Sequence, residues 1–231
     1  MRAILLAAGL GTRLRPITDT IPKCLVSIHG KPLLQIWLER LTAVGIGPFL
    51  INTHYLSKQV ENFIEQSEFS NQVELVYEPE LLGTAGTLLK NSVFFQGEDG
   101  LLIHADNYCL ADFNAFLQAH ENRPKVCIMT MMSFHTDKPS SCGIIELDKQ
   151  GIVVGFHEKV VAPPGNLANA AIYILTKDFI SILNNQYHNV KDISTELIPS
   201  LKGRIYSHYI TEDLVDIGTI ENYEKVNNAV F

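Results

Sequence analysis

Arg13, Lys23, Asp106 and Asp216 are the side chains best suited to phosphate chemistry in this 231-residue sequence, although they lie far apart along it. The first two belong to one stretch. An apolar run, Ala3 to Leu6, feeds directly into Ala8-Gly9-Leu10-Gly11-Thr12-Arg13-Leu14-Arg15-Pro16, with Pro22-Lys23 a little further on. A strand that ends in a glycine-rich turn points several backbone N–H groups at one spot, and glycine lets the backbone approach a phosphate closely. Arg13, Arg15 and Lys23 add positive charge there. Two familiar patterns fail: no Gly-Lys-Ser or Gly-Lys-Thr follows at P-loop spacing, and Leu14 stands where a dinucleotide fingerprint counted from Gly9 needs Gly or Ala. By itself, the glycine pair fits an ordinary tight turn equally well.

Asp106 follows a second apolar run, Leu101 to His104, and so is expected at the carboxyl end of a strand, where open α/β sheets hold their ligands. Asp216 lies in Val215-Asp216-Ile217-Gly218-Thr219, a comparable setting near the other end of the chain. Either aspartate alone also suits a turn or a helix cap.

The elements that must carry these residues alternate. Strands are expected at Ala3 to Leu6, Phe49 to Asn52, Val73 to Tyr77, Leu101 to His104 and Val126 to Met131. Helices are expected from Pro32 to near Gly45, from a Ser57 cap to Gln66, over Thr84 to Ser92 and over Ala111 to His120. That alternation is the trace of βα units on a mostly parallel sheet. From about Ser133 the pattern changes to a hairpin, Gly143 to Leu147 and Ile152 to His157 about Asp148-Lys149-Gln150-Gly151. After it come a strand over Asn169 to Leu175, a helix capped by Asp192, a strand over Arg204 to Ile210 and a closing helix from Thr219. The expected organisation is one domain, 1–231, in two halves, 1–132 and 133–231.

Composition narrows the classes. A formal net charge of -7 argues against a nucleic-acid polymer as partner, because backbone binding rests on a basic surface. Cys24, Cys109, Cys127 and Cys142 show no C-x-x-C spacing, which fits reduced thiols in a cytoplasm. The opening apolar run is far shorter than a signal-peptide core, and no run reaches membrane-spanning length. A cytoplasmic protein that does not engage a membrane is expected.

The complete N-terminal string, Leu6 to Pro16 followed by Pro22-Lys23, resembles the signature of the sugar-1-phosphate nucleotidylyltransferases, or nucleotide-sugar pyrophosphorylases. Further matches follow in order: Glu78 to Gly86, Asp106, Cys142-Gly143-Ile144, Phe156-His157-Glu158-Lys159, Asn169 to Tyr173, and Asp216-Ile217-Gly218-Thr219. The resemblance covers nearly the whole chain, and it implies that 1–132 is mainly the nucleotide-binding half and 133–231 mainly the sugar-phosphate-binding half. It implies a Rossmann-like three-layer α/β/α fold with a mostly parallel mixed central sheet, of the nucleotide-diphospho-sugar transferase type. It also implies a reaction: the sugar phosphate attacks the α-phosphorus of a nucleoside triphosphate and displaces pyrophosphate. Arg13 then stabilises the departing pyrophosphate, Lys23 contacts the reacting phosphates, and Asp106 and Asp216 hold Mg²⁺, whose preference is for such hard oxygen ligands. Leu6, Ala8, Gly9, Gly11, Thr12, Arg13, Glu78, Gly83 and Thr84 are expected at the nucleotide, and Asn107, Gly143, Glu158, Lys159 and Asn169 at the sugar phosphate.

The sequence departs from the family pattern at several points. Cys24 follows Lys23 where relatives have Pro, Ala105 precedes Asp106 in place of Gly, Cys142 replaces Tyr, Val160 replaces Pro and Ala171 replaces Gly. Glu78 stands where pyrimidine-using relatives often carry Gln. A carboxylate only accepts hydrogen bonds and guanine offers two adjacent donors, so GTP is the favoured nucleotide; the competing reading leaves Glu78 facing solvent ahead of Pro79. Mannose, glucosamine and heptose 1-phosphates are the candidate acceptors, feeding a cell-surface glycan. The alternatives are a uridylyl- or thymidylyltransferase, a cytidylyltransferase acting on a phosphorylated alcohol, and a silent regulatory subunit that binds nucleotide sugars. The chain ends soon after Asp216, so the β-helix domain of some longer relatives is not expected, and the oligomeric state is left open.

Overall fold

The computed structural model describes residues 1–228; 229–231, the end of the expected domain, lie outside the described residues. In chain order the strands are β1 (Arg2–Leu6), β2 (Ser27–Ile28), β3 (Lys31–Pro32), β4 (Phe49–Thr53), β5 (Val73–Tyr77), β6 (Gly100–His104), β7 (Asn107–Cys109), β8 (Met129–His135), β9 (Gly143–Leu147), β10 (Val153–Glu158), β11 (Leu167–Leu175), β12 (Ile205–Tyr209) and β13 (Leu214–Asp216). The helices are α1 (Leu33–Ala43), α2 (Ser57–Gln66), α3 (Thr84–Asn91), α4 (Phe113–Glu121), α5 (Lys177–Gln186), α6 (Ile198–Ser200) and α7 (Ile220–Asn228), with a π turn over Ile193–Leu197. The architecture is the expected one, a mixed, mostly parallel central sheet with flanking helices. No described helix is long and apolar enough to cross a membrane.

The chain divides into two compact units that interleave in sequence. The first comprises Met1–Leu81, Ile103–Leu110 and the chain from Asp213 on. Here β1 pairs parallel with β4 and β4 with β5, in the register Leu6 to Asn52 and Thr53 to Tyr77. The chain leaving β6 lies beside the end of β1, where the Ala105 N–H donates to the Leu6 carbonyl at 3.1 Å. Central strands of a parallel sheet are covered on both faces, so β1 and β4 read as unbroken apolar runs rather than alternating ones. Ala3, Ile4, Leu5, Phe49 and Ile51 are fully buried. α1 presents Leu34, Trp37, Leu38 and Leu41 at helical spacing to this core, and the Trp37 indole N–H is satisfied by the Asn107 carbonyl at 2.9 Å. At the start of α2 the expected cap moves by one residue: Leu56, held at φ +51, precedes the helix, and Ser57 is its first residue.

The second unit comprises Leu82–Leu102 and Ala111–Glu212. β8 lies between β11, antiparallel, and β12, parallel. Residue 132 falls inside β8. β8 begins three residues later than expected because Pro124 to Cys127 forms a turn, closed by the Cys127 N–H on the Pro124 carbonyl at 2.8 Å. Thr130 and Ser133 in this strand are fully buried and each is paired, Thr130 with His120 and Ser133 with Ser207, both at 2.7 Å. β9 and β10 form the expected hairpin about Asp148 to Gly151.

Candidate active site

In the first unit the glycine turn begins where β1 stops. The Ala7 N–H donates to Asn52 Oδ1 at 2.8 Å, which fixes the direction in which the chain leaves the sheet. Gly11, at φ +62, adopts the left-handed conformation that glycine favours. The turn is closed by Thr18 Oγ1 donating to the Gly11 carbonyl at 2.7 Å, and a Cβ on Gly11 would press within 3.0 Å of the Thr18 methyl. Leu6 and Ala8 are buried beneath the turn. Gly9, Thr12 and Arg13 are exposed, and the space around Gly9 is open.

The two aspartates meet through a feature invisible in the periodicity. β7 and β13, three residues each, pair antiparallel with Asp216 opposite Asn107, the residue after Asp106. Lys23 joins them: its Nζ donates to Asp106 Oδ2 at 2.8 Å and to Asp216 Oδ1 at 3.1 Å. Arg13 Nη2 lies 3.5 Å from the other Asp216 oxygen, Oδ2. All four charged residues singled out in the sequence therefore form one cluster. The Lys23 side chain is 7% exposed and the carboxylates 43% and 46%, so the cluster opens to solvent on its acidic side. Burial acts to raise the Asp106 pKa, but the Lys23 ammonium, His104 and its hydrogen bonds outweigh that and hold the carboxyl below its ordinary value. Next to Lys23, burial pushes the Cys24 thiol up to about 12.

Glu78 does not face solvent. It is 1% exposed, and Asn52 Nδ2 donates to its Oε1 at 3.0 Å while the His54 ring contacts its carbonyl at 2.7 Å. Asn52, which the sequence reading did not single out, thus ties Glu78 to the start of the glycine turn. Its position at the carboxyl end of an apolar strand was the one available signal. Asn107 is also buried, with its backbone in β7.

The second unit holds the remaining expected residues in two internal arrangements. Gly83, at φ +78, lies against the Lys191 carbonyl, which a Cβ there would strike. That carbonyl accepts the Ala85 N–H at 3.0 Å, and Thr84 Oγ1 donates to Asp192 Oδ2 at 3.2 Å and accepts from the Ile193 N–H at 2.8 Å. Asp192 also caps the following turn, as expected, by accepting from Thr195. In the other arrangement, Gly143 is covered by the Glu158 carboxylate and the Phe156 ring, each of which a Cβ would approach to 2.6 Å. Glu158 Oε1 lies 3.3 Å from Lys159 Nζ. Asn169 spends both ends of its amide locally: Oδ1 accepts the Ala171 N–H at 2.9 Å and Nδ2 donates to Tyr173 Oη at 2.7 Å.

A family model described as nucleotidyl transferase matches residues 2–231. The chain belongs to the nucleotidyl transferase family. It is 31% identical over 228 residues to the mannose-1-phosphate guanylyltransferase catalytic subunit beta of Drosophila pseudoobscura pseudoobscura, covering 96% of this chain and 60% of that one. It is 29% identical over 226 residues to the D-glycero-alpha-D-manno-heptose 1-phosphate guanylyltransferase of Campylobacter jejuni, covering 96% and 97%. The crystal structure of HddC from Yersinia pseudotuberculosis complexed with GMP-PN superposes with a TM-score of 0.81 at 25% identity, covering 97% of both chains. Against the Drosophila relative the chain thus spans three fifths of the length.

For a nucleotidyl transferase the acidic cluster is chemically apt. Two carboxylates that share one ammonium mark a point where positive charge is stabilised, and their exposed sides leave room for further oxygen ligands. A dication that takes hard oxygen donors and retains several waters or phosphate oxygens fits such a pair. Among the described residues no three His, Cys, Asp or Glu converge. Gly218 completes the arrangement, since a Cβ there would come within 2.8 Å of both Arg13 Nη2 and Asp216 Oδ1.

Proposed function

We propose that the chain transfers a nucleotidyl group from a nucleoside triphosphate, GTP in preference, to a sugar 1-phosphate, giving a nucleotide sugar and pyrophosphate. The observation that carries this reading is the convergence of Arg13, Lys23, Asp106 and Asp216 in one cluster beside the glycine turn. An oxygen of the sugar phosphate attacks the α-phosphorus, and the bond to the bridging oxygen of the departing pyrophosphate breaks. In-line displacement needs positioning and charge, with no protein nucleophile. Arg13, exposed, neutralises charge that builds on pyrophosphate, and Lys23 does the same at the reacting phosphates. Mg²⁺ held by Asp106 and Asp216 would withdraw charge from the phosphate oxygens.

GTP is favoured by two considerations. The relatives described above are named as guanylyltransferases, and the HddC structure contains GMP-PN. Glu78 is an acceptor-only group anchored by Asn52, the polarity that the guanine N1–H and amine require. Mannose and heptose 1-phosphates are the favoured acceptors on the same relatives, and Gly143, Glu158, Lys159 and Asn169 are assigned to the sugar phosphate. A reaction on free nucleotides fits the expected cytoplasmic setting.

A pyrophosphate-release screen that crosses GTP, UTP, dTTP, CTP and ATP with a panel of sugar 1-phosphates tests this. Turnover with GTP and a manno-configured sugar 1-phosphate is expected. Turnover confined to a pyrimidine nucleotide would overturn the base assignment, and turnover only with CTP and phosphocholine would overturn the acceptor.

A further inference from the structure

The two carboxylates assigned to the metal are already bonded, both of them, to a single ammonium. Lys23 lies in a short turn, Lys23–Leu25, fixed by the Leu25 N–H on the Pro22 carbonyl at 2.8 Å and flanked by the buried Cys24 and Leu25. Its backbone is held, so any change of partner falls to the side chain. We propose that Lys23 is the internal counter-ion of the metal site: it neutralises Asp106 and Asp216 while no metal is bound, and gives them up to a divalent cation when a triphosphate offers the ammonium another anion.

The physical argument rests on burial and charge. The ammonium of a side chain only 7% exposed is costly without an anionic partner, so Lys23 cannot leave the carboxylates unaided. A dication cannot take their oxygens cheaply while the ammonium remains between them, because like charges at such distances repel strongly. Phosphate resolves both conflicts by accepting the lysine. The cost of displacing Lys23 is then charged to metal binding when nucleotide is absent and removed when it is present. Metal and nucleotide thereby favour each other's binding through one side chain, and by linkage the effect is reciprocal. Lys23 acquires a second role, setting how weakly the nucleotide-free protein holds metal.

This inference rests on the reading of Asp106 and Asp216 as the metal site, and the experiment separates the two. Mn²⁺ alone is titrated into nucleotide-free protein, and the free ion is followed by its paramagnetic resonance signal. Lys23→Met and Lys23→Gln are compared with wild type, with thermal melting to establish folding and Asp106→Asn/Asp216→Asn as the blank. Removing the ammonium is expected to tighten Mn²⁺ binding about tenfold in each variant that folds, with a larger Mn²⁺-induced rise in Tm than in wild type. Unchanged or weaker binding in a folded variant overturns the counter-ion role while leaving the metal site standing. Binding no better than the blank in wild type and in both variants removes the metal assignment, and the inference falls with it.

Discussion

Asp216 stands opposite Asn107 in a three-residue antiparallel pairing, and that register brings Asp216 into reach of the lysine that also holds Asp106. The pairing is short, so it needs support from outside the strands. Asn222 at the start of α7 supplies it by donating Nδ2 to the Asp216 carbonyl at 2.7 Å, while its own N–H is capped by Thr219 Oγ1 at 3.3 Å. Asn222→Ala removes the tether. The expected loss of stability is about 1 kcal/mol, the usual net worth of one such bond. The expected loss of turnover is larger in proportion, because Asp216 is then free to rotate away from Lys23. Parallel measurements of Tm and pyrophosphate release check this, and a turnover unchanged beside a lowered Tm would separate the tether from the chemistry.

Gly218 tests the same cluster from the backbone side. A methyl group there meets Arg13 and Asp216 at 2.8 Å, and the cheapest relief is for the exposed guanidinium to move away. Gly218→Ala is therefore expected to lower kcat/KM roughly tenfold, about 1.4 kcal/mol of transition-state stabilisation. Tm should hardly move, since the Arg13–Asp216 pair is solvent-exposed and surface pairs contribute little to folding. A fall in Tm with normal kinetics would show that Gly218 serves folding instead.

The strands and helices of the parallel half were legible because burial on both faces leaves unbroken apolar runs, as in β1 and β4, and α1 carries its core residues at helical spacing. The meeting of Asp106 and Asp216 was not. Strands of three residues are too short to show a period, and their pairing partners are distant in sequence. Asn52 escaped notice for a similar reason: an asparagine ending an apolar run carries no local sign that its amide joins Ala7 to Glu78. Glu78 ahead of Pro79 suits a solvent-facing turn as well as a buried one, and only the fold reveals its burial. The resemblance to a sugar-phosphate element at Asn169 gave no hint that the side chain also builds the local backbone.

Ala171 shows what that local backbone requires. The β11–β8 register breaks between Asn169 and Tyr173, and within the break Ala171 is held at φ +56, a left-handed conformation that costs a residue with a Cβ about 1–2 kcal/mol. The family pattern has glycine here, and the strain gives a reason. Ala171→Gly should raise stability by about 1 kcal/mol after the greater freedom of glycine in the unfolded chain is counted. For a chain of this size that is a rise in Tm of about 2–4 °C. A lowered Tm would mean that the methyl group packs more favourably than its backbone suffers.

His120 makes stability depend on pH in a definite direction. Its ring is 3% exposed and bridges Thr130 Oγ1 at 2.7 Å and Asp99 Oδ2 at 3.1 Å. Burial holds its pKa below the ordinary 6.5, with Arg123 acting the same way and Asp99 opposing. The folded chain therefore binds fewer protons at this site than the unfolded chain once the pH drops below about 6.5. The contribution is fully present above that value and is lost as pH falls through the folded pKa. His208, whose pKa burial lowers while Glu212 and Asp112 oppose the shift, adds in the same sense. The urea midpoint should be level between about pH 7 and 8 and decline below about 6.5. His120→Gln should be less stable at pH 7.5 yet lose less on acidification to pH 5.5 than the wild type. A variant with an equal or steeper decline would assign the acid sensitivity to other groups.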